Sequence, residues 1–438
     1  MEASAAPAAA LLDEHARCTP VTWRVGDHDV DLRTKVGVRG HPGIDGALLA
    51  LGEALRRGRA RPPAPAGGAG ANRVLRALDL TGAPAAMPLW AAAAGAGADW
   101  TVALSSAAAL VAAREALAAA GTPRTELVAA LPWEVSGPYD WIVWRPPADR
   151  GVRRVRAELA AVAAALAPGG TALLVQHKDE GAQRCEREAA ASFAEVETVA
   201  RASGWRVSEL RGPRPGPPVD PWVAFEPAGD AGAGGPVRAI AGAFAAEKLD
   251  PGTAVLLRAL AARGAAEGTG EAVGSRRVLD LGCGTGLLAR AALAAGAREV
   301  VAVDDDLAAV RSATAQLGGD GRAVVVHADL LRPVDPAQAP LLAAGGFDEV
   351  WCNPPFHVGR QVVGALSRAF VAAAHQALRP GGVAWFVVNR ALPYERELAT
   401  WGGHADVTPV GERSFTVWRA VRARRPVNGA RDARVRGR

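Results

Sequence analysis

The residues Asn353-Pro354-Pro355-Phe356, at the end of an apolar run, have the chemistry to hold a planar amine. An Asn side-chain oxygen and the carbonyl of the following Pro are both acceptors, so together they can take the two N–H bonds of an exocyclic amine. Such an amine is a weak nucleophile because its lone pair is delocalised into the ring, and acceptors that support positive charge on nitrogen assist it. The two prolines fix the direction of that carbonyl, and Phe356 offers a face on which a base stacks. This chemistry requires no metal and no covalent nucleophile. Upstream, Asp280-Leu281-Gly282-Cys283-Gly284-Thr285-Gly286 places a backbone almost free of side chains where a ligand must approach closely, which implies a nucleotide-like ligand. A dinucleotide fingerprint would carry its third Gly at position 287, where Leu287 stands, so a nicotinamide cofactor fits worse. Asp304, about twenty residues beyond the loop, can accept both hydroxyls of a ribose. An acid there also suits a helix N-cap, a role assigned to Asp305 or Asp306.

These residues need elements to hold them. RRVLDLGCGTGLLARAALAAG reads as a buried strand, a Gly turn and an apolar helix, and EVVAVDDD as a second strand ending in acids. AVVVHADLL, FDEVWCNPPF and GGVAWFVVN are further β-rich runs, separated by helical stretches such as DLAAVRSATAQL. Strands alternating with helices predict a parallel, doubly wound α/β sheet with the candidate residues at strand ends.

The first half of the chain repeats this order. VLRALDLTGAPAAM answers VLDLGCGTGLLA, DWTVALSSAAALV answers EVVAVDDDLAAV, YDWIVWRPP answers FDEVWCNPP, and AALAPGGTALLVQH answers QALRPGGVAWFVVN. Shared PP and PGG punctuation in the same order points to an internal duplication, hence two tandem Rossmann-like domains. The chemistry does not repeat. Thr81-Gly82-Ala83-Pro84-Ala85 stands for the Gly loop, Ser105 for Asp304 and Arg145 for Asn353, and an Arg only donates, so it would repel amine protons. The first domain is expected to be degenerate and non-catalytic.

The Gly-x-Gly-x-Gly form resembles motif I of class I S-adenosylmethionine methyltransferases. Phe244 with Lys248-Leu249-Asp250-x-Gly252 ahead of the loop, the His in NPPFH, and the later Leu392-Pro393-Tyr394 with Phe415 to Ala420 resemble the RsmC-type ribosomal RNA guanine-N2 methyltransferases. The likeness covers the second half well and the first half mainly by architecture, plus His177-Lys178-Asp179-Glu180-Gly181. It implies S-adenosyl-L-methionine as cofactor, held by Asp280, Gly282, Gly284, Gly286, Asp304 and Asp329, the last at the family's usual adenine-amine position. Asn353, Pro354 and Phe356 are then the catalytic residues. The implied activity is methylation of the exocyclic N2 amine of a guanine in ribosomal RNA, small subunit before large, on free RNA or a ribosomal subunit. Adenine N6 or a protein glutamine amide is the alternative within the same chemistry, although Tyr usually follows Asn-Pro-Pro in those families. A non-catalytic RNA-binding or assembly protein is the alternative outside it, and the intact Asp304 and Asn353 argue against that.

Composition bounds the rest. The 438 residues suffice for two or three domains, half of them apolar and 22% charged, as in an ordinary soluble protein rather than a disordered or fibrous one. Net charge is +5, carried almost wholly by Arg, which favours an anionic partner without naming it. Four scattered cysteines with no C-x-x-C pair suggest neither a disulfide framework nor a zinc site, and fit a reducing cytoplasm. Glu2 and the early acids Asp13 and Glu14 argue against export, and the Ala/Gly tract from Ala85 to Ala98 is too weak for a membrane span. Pro/Gly-rich stretches set the expected division: 1–220 degenerate domain, 221–236 linker, 237–425 catalytic domain, 426–438 basic tail, in a monomer without metal. Trp133, Trp141 and Trp144 read as packing, or alternatively as RNA stacking. His357 reads as a substrate contact or a solvent-facing residue. The eight Arg from Arg419 to Arg438, against Asp432 alone, suit either phosphate contacts or a plain tail.

Overall fold

The computed structural model describes residues 8–63, 73–122, 124–227, 235–267, 275–355, 360–389, 394, 398, 406–408 and 414–423. The basic tail, Phe356, His357, Leu392 and Pro393 lie outside the described residues. The chain opens with helix α1 (Ala8–Ala16), a hairpin β1 (Thr19–Val25) and β2 (His28–Thr34), and helix α2 (Gly46–Arg56). The first alternating unit follows: β3 (Leu75–Leu80), α3 (Ala86–Ala93), β4 (Ala98–Leu104), α4 (Ala107–Ala120), β5 (Thr125–Ala129), β6 (Tyr139–Trp144), α5 (Val152–Ala165), β7 (Leu166–His177), α6 (Ala182–Ser192), β8 (Phe193–Ala202) and β9 (Trp205–Pro213). A second hairpin, β10 (Trp222–Phe225) and β11 (Val237–Ile240), and helix α7 (Pro251–Glu267) precede the second unit. That unit comprises β12 (Arg277–Leu281), α8 (Leu287–Ala294), β13 (Glu299–Asp304), α9 (Leu307–Leu317), β14 (Ala323–Asp329), β15 (Arg332–Pro333), β16 (Phe347–Cys352), α10 (Arg360–Ala377), β17 (Leu378–Asn389), β18 (Asp406–Thr408) and β19 (Phe415–Val421).

The sheets run β5-β4-β3-β6-β7-β9-β8 and β15-β14-β13-β12-β16-β17-β19-β18. Without the short β15 the two orders coincide strand for strand, as the duplication predicts. The central strands pair in parallel and are covered by helices, so VLDL, VVAV and EVWC are buried along their length. The last two strands of each sheet are antiparallel.

The duplication reaches further upstream than the repeated sequence blocks suggest. Each unit is preceded by a hairpin and a helix, with an Asp at the helix start, Asp45 in one and Asp250 in the other. Left-handed backbone recurs at matched distances before those acids, at Gly37 and Gly40 in the first half and at Gly242 and Ala245 in the second. The division of the chain accordingly differs from the expected one. Residues 222–225 of the supposed linker form β10, which pairs with β11 from Trp222–Ile240 to Phe225–Val237. The flanking Pro and Gly concealed a strand only four residues long. Helix α1 packs on α10, with Leu12 against the core of the second domain. Trp141 and Trp144 are core residues, Trp141 among Trp90 and Trp100, while Trp133 lies between the halves and against Arg154.

The halves meet about an approximate twofold axis. Ser106 and Asp306, the N-caps of α4 and α9, face each other in an antiparallel bridge, with Ala107 N–H donating to the Asp305 carbonyl at 2.9 Å and Leu307 N–H to Ser105 at 2.8 Å. Beyond that bridge the symmetry breaks. Register puts Leu131 where Asp329 stands, two residues past the strand positions paired with Leu104 and Asp304. On one side Leu131 and Ile240 share an apolar cluster. On the other, Asp329 meets Lys35 Nζ at 2.5 Å and His15 Nε2 at 2.7 Å, with Lys35 0% exposed. A buried charge that loses its partner costs about 3–5 kcal/mol, whereas an apolar replacement of the whole pair is tolerated. Lys35→Met should therefore lower unfolding stability by about that amount, and Lys35→Ile with Asp329→Leu, which copies the opposite side, should recover most of it. Chemical denaturation measures both; a single variant as stable as the parent protein would show that the pair is not desolvated.

Candidate functional site

Asp280, fully buried, is the last residue but one of β12, and beyond Leu281 the chain turns sharply because Gly282 and Cys283 N–H both donate to the Val303 carbonyl at 2.9 Å. Gly282 and Gly286 sit at φ +77° and +84°, and a Cβ at either would stand 3.1 Å from Phe370 or Ala313. Only glycine serves there. Gly284 lies beneath Phe244, an aromatic side chain 43% exposed. Asp280 Oδ2 accepts from Ala289 N–H at 2.9 Å in the first turn of α8, while Oδ1 is buried without a partner among the described residues. Burial pushes its carboxyl up to about 7.

Asp304 faces the same loop. Its Oδ2 accepts from Gly284 N–H and its Oδ1 from Asp306 N–H, each at 2.9 Å, and burial raises it to about 6. The helix-capping role lies with its neighbours, since Asp306 caps α9 and Asp305 accepts from Ala108 N–H at 2.7 Å across the axis, capping α4 of the other half. Each Asp304 oxygen accepts one such bond and has acceptor capacity for a second.

Asp329 does not match its expected surroundings. Both carboxylate oxygens are engaged by His15 and Lys35 at the contact between the halves, and those partners hold it below the ordinary carboxylate range against the opposing effect of burial. The acid that sequence assigns to adenine is here a contact between domains, because residues from the chain's first thirty-five reach it.

Asn353 closes the other side of the strand ends, 8% exposed, with Pro354 also buried. Its Nδ2 donates to Asp250 Oδ2 at 2.8 Å and to Thr253 Oγ1 at 2.9 Å. Its Oδ1 is buried with no partner among the described residues. An acceptor is thus held ready for a donor. Gly252, between the two holding residues, lies so close to Phe415 that a Cβ would be 3.2 Å from the ring. Tyr394 is buried against Phe386. Sequence reasoning noted Asp250 only as part of a motif and missed Thr253; the available signal was the Asp that opens the helix before each unit.

The first half shows what loss of the site looks like. Asp79 stands where Asp280 does, yet both its oxygens are satisfied, by Thr81 N–H and Oγ1 and by Met87 N–H. Strand register and the caps Ser106 and Asp306 place Leu104, not Ser105, opposite Asp304, because the bridge aligns the helix caps one residue away from the sequence match. A buried Leu removes the acceptor altogether. Arg145 keeps the Asn353 arrangement with reversed chemistry, bonding Asp45 at 2.6 Å and lying 4.9 Å over the Trp205 ring. Ala47, Leu48 and Leu51 of α2 line one small pocket together with Thr81, Gly82, Ala83 and Arg145. Among the described residues no cluster of three or more His, Cys, Asp or Glu could hold a metal, and no helix is long and apolar enough to cross a membrane.

An acid whose folded pKa lies above its unfolded one binds its proton more tightly in the fold, so it favours folding at low pH and this advantage is lost as pH rises. For Asp280 the window runs from about 4 to 7. The free protein should lose stability across that range, and Asp280→Asn should reduce the loss by on the order of 3 kcal/mol. Denaturation midpoints at pH 5 and 8 read this; equal slopes in both proteins would refute a neutral buried Asp280.

Residues 235–418 match the methyltransferase small domain family. Ribosomal RNA large subunit methyltransferase G of Streptomyces coelicolor is 35% identical over 212 residues, 47% of this chain and 52% of that protein. The chain spans about half the length of the first curated relatives that it matches. Ribosomal RNA small subunit methyltransferase C of Hahella chejuensis is 30% identical over 268 residues, 60% of this chain and 72% of that protein. The solved T. thermophilus 16S rRNA guanine-N2 methyltransferase RsmC, in complex with AdoMet and guanosine, is 32% identical with a TM-score of 0.73, covering 94% of this chain and 99% of the other. Since the likeness to that solved chain runs through both halves, degenerate and intact, the protein belongs to the RsmC-type family of ribosomal RNA methyltransferases.

Proposed function

We propose that the chain methylates the exocyclic N2 amine of a guanine in ribosomal RNA, with S-adenosyl-L-methionine as methyl donor. The observation that carries this reading is the unpartnered Asn353 Oδ1, a buried acceptor whose amide cannot turn without losing two hydrogen bonds. The cofactor fits the loop side of the site: a Cβ at Gly282 or Gly286 would crowd its neighbours, and Asp280 Oδ1 lacks a donor. Gly282, Gly284, Gly286, Asp280 and Asp304 would hold it, Asp304 by the ribose. When bound, it supplies an electrophilic methyl group on a sulfonium.

The protein's own part is acceptor chemistry. Asn353 Oδ1 takes one N–H of the amine, the Pro354 carbonyl takes the other, and both stabilise the positive charge that grows on nitrogen before it releases a proton to water. Phe356 provides the stacking face for the base. Small-subunit RNA is favoured because the solved T. thermophilus 16S rRNA enzyme resembles this chain nearly end to end. The reading implies a monomer acting in the cytoplasm, on free RNA or an assembling subunit, with the first half serving RNA binding or support.

Asn353→Ala should slow single-turnover methyl transfer by about a hundredfold or more while keeping cofactor affinity. Normal turnover would end the amine-orienting mechanism. Asp304→Ala should weaken cofactor binding by about 1–3 kcal/mol in calorimetry, through hydroxyls left unpaired. The same titration of the full chain should give one cofactor per chain, since Leu104 and Arg145 stand in the first half where Asp304 and Asn353 stand in the second; a stoichiometry of two would contradict this.

A further inference from the structure

The amide of Asn353 has two ends of opposite character on a freely rotating bond, and only one of them is useful to an amine. With Oδ1 toward the substrate the residue accepts; turned by 180° it would present Nδ2, a donor, to the donors of the amine. Rotation costs little in an unrestrained Asn, so something must select the face. The selecting groups lie at the start of α7. Asp250 Oδ2 and Thr253 Oγ1 take the Nδ2 hydrogens at 2.8 and 2.9 Å. A turned amide would set its oxygen against the Asp250 carboxylate, acceptor against acceptor.

Asp250 and Thr253 are themselves tied together. Asp250 Oδ2 also accepts from Thr253 N–H at 2.8 Å, capping the helix, so both residues are fixed by the helix start rather than by the strand that carries Asn353. Gly252 between them permits the close approach of Phe415. The first half retains the same pairing after losing the chemistry: Asp45 caps α2 through Ala47 N–H at 2.7 Å and accepts from Arg145, the residue in Asn353's place. There the helix-start acid holds a donor-only side chain, and nothing accepts.

We infer that Asp250 and Thr253 are positioning residues that fix the amide face of Asn353 and thereby make the site selective for a substrate carrying a hydrogen-bond donor amine. This rests on the methyl-transfer reading above. Two roles of Asp250 must be separated, because its loss would also uncap α7. Asp250→Ser keeps a cap acceptor but is too short to reach Asn353; Thr253→Val removes the second acceptor and leaves the cap alone; Thr253→Ser restores the hydroxyl.

The test uses the full chain, ribosomal RNA from cells lacking the gene, and saturating cofactor. Asp250→Ser and Thr253→Val should each lower the single-turnover rate constant about tenfold, with melting temperature and cofactor affinity unchanged, and Thr253→Ser should recover the rate. A second readout compares the equilibrium binding of guanosine with that of inosine, which lacks the amine and accepts no methyl group: the parent protein should bind guanosine more tightly, and both variants should narrow that difference. Parent-like rates and parent-like guanosine preference in both variants would overturn the inference, as would losses that track melting temperature. If Asn353→Ala is itself fully active, the methyl-transfer reading fails; if it is inactive while Asp250→Ser and Thr253→Val behave as the parent protein, only the positioning role fails.

Discussion

The structure depends on the antiparallel meeting of two strand ends, Ser105-Ser106 and Asp305-Asp306, each immediately before a helix. A helix N-terminus leaves backbone N–H groups without partners, and here two such termini face each other, so each half helps to satisfy the other. Ala107 and Leu307 donate across the axis, and Asp305 caps the foreign helix while Asp306 caps its own. The arrangement fixes the second strand of the second unit, and with it Asp304, whose two oxygens carry the Gly284 and Asp306 amides. Displacing the first half would therefore disturb the loop indirectly, through the acid shared between strand and turn.

Much of this was legible in the residues. The alternation of buried runs with helical stretches predicted both sheets, since a strand covered on two faces reads as mostly apolar, as VVAV does throughout and VLDL does except at Asp280. The Gly loop and Asn353 were legible because backbone approach and an amine each demand narrow residue types. What stayed hidden depended on contacts far apart in sequence. Nothing near Asp329 announces that Lys35 and His15 reach it, and the four residues of β10 carry too short a pattern to stand out between Pro and Gly. The pairing of Leu104 with Asp304 was hidden for a different reason: three consecutive acids and two consecutive serines align equally well one residue apart, and only the helix caps decide.

The two halves show how a site is lost without loss of fold. Asp79 keeps its place and takes a full set of hydrogen bonds from Thr81 and Met87, while Asp280 retains an unpaired oxygen at the cost of burying a carboxyl that prefers its proton. Function holds polar groups in reserve, unpaired until a ligand arrives; a half released from that demand pairs them internally. Arg145 follows that logic only in part: one guanidinium nitrogen is joined to Asp45 and Trp205 covers the group, but its Nε is buried without a partner among the described residues.

The docking of α1 on α10 joins parts of the chain separated by more than three hundred residues. A ribosome delivers α1 before α10, so this helix must wait while the residues between them are made. The long stretch of chain it closes makes the contact a late one to form: until β14 is made His15 has no Asp329 to meet, and until α10 is made α1 has no surface to cover.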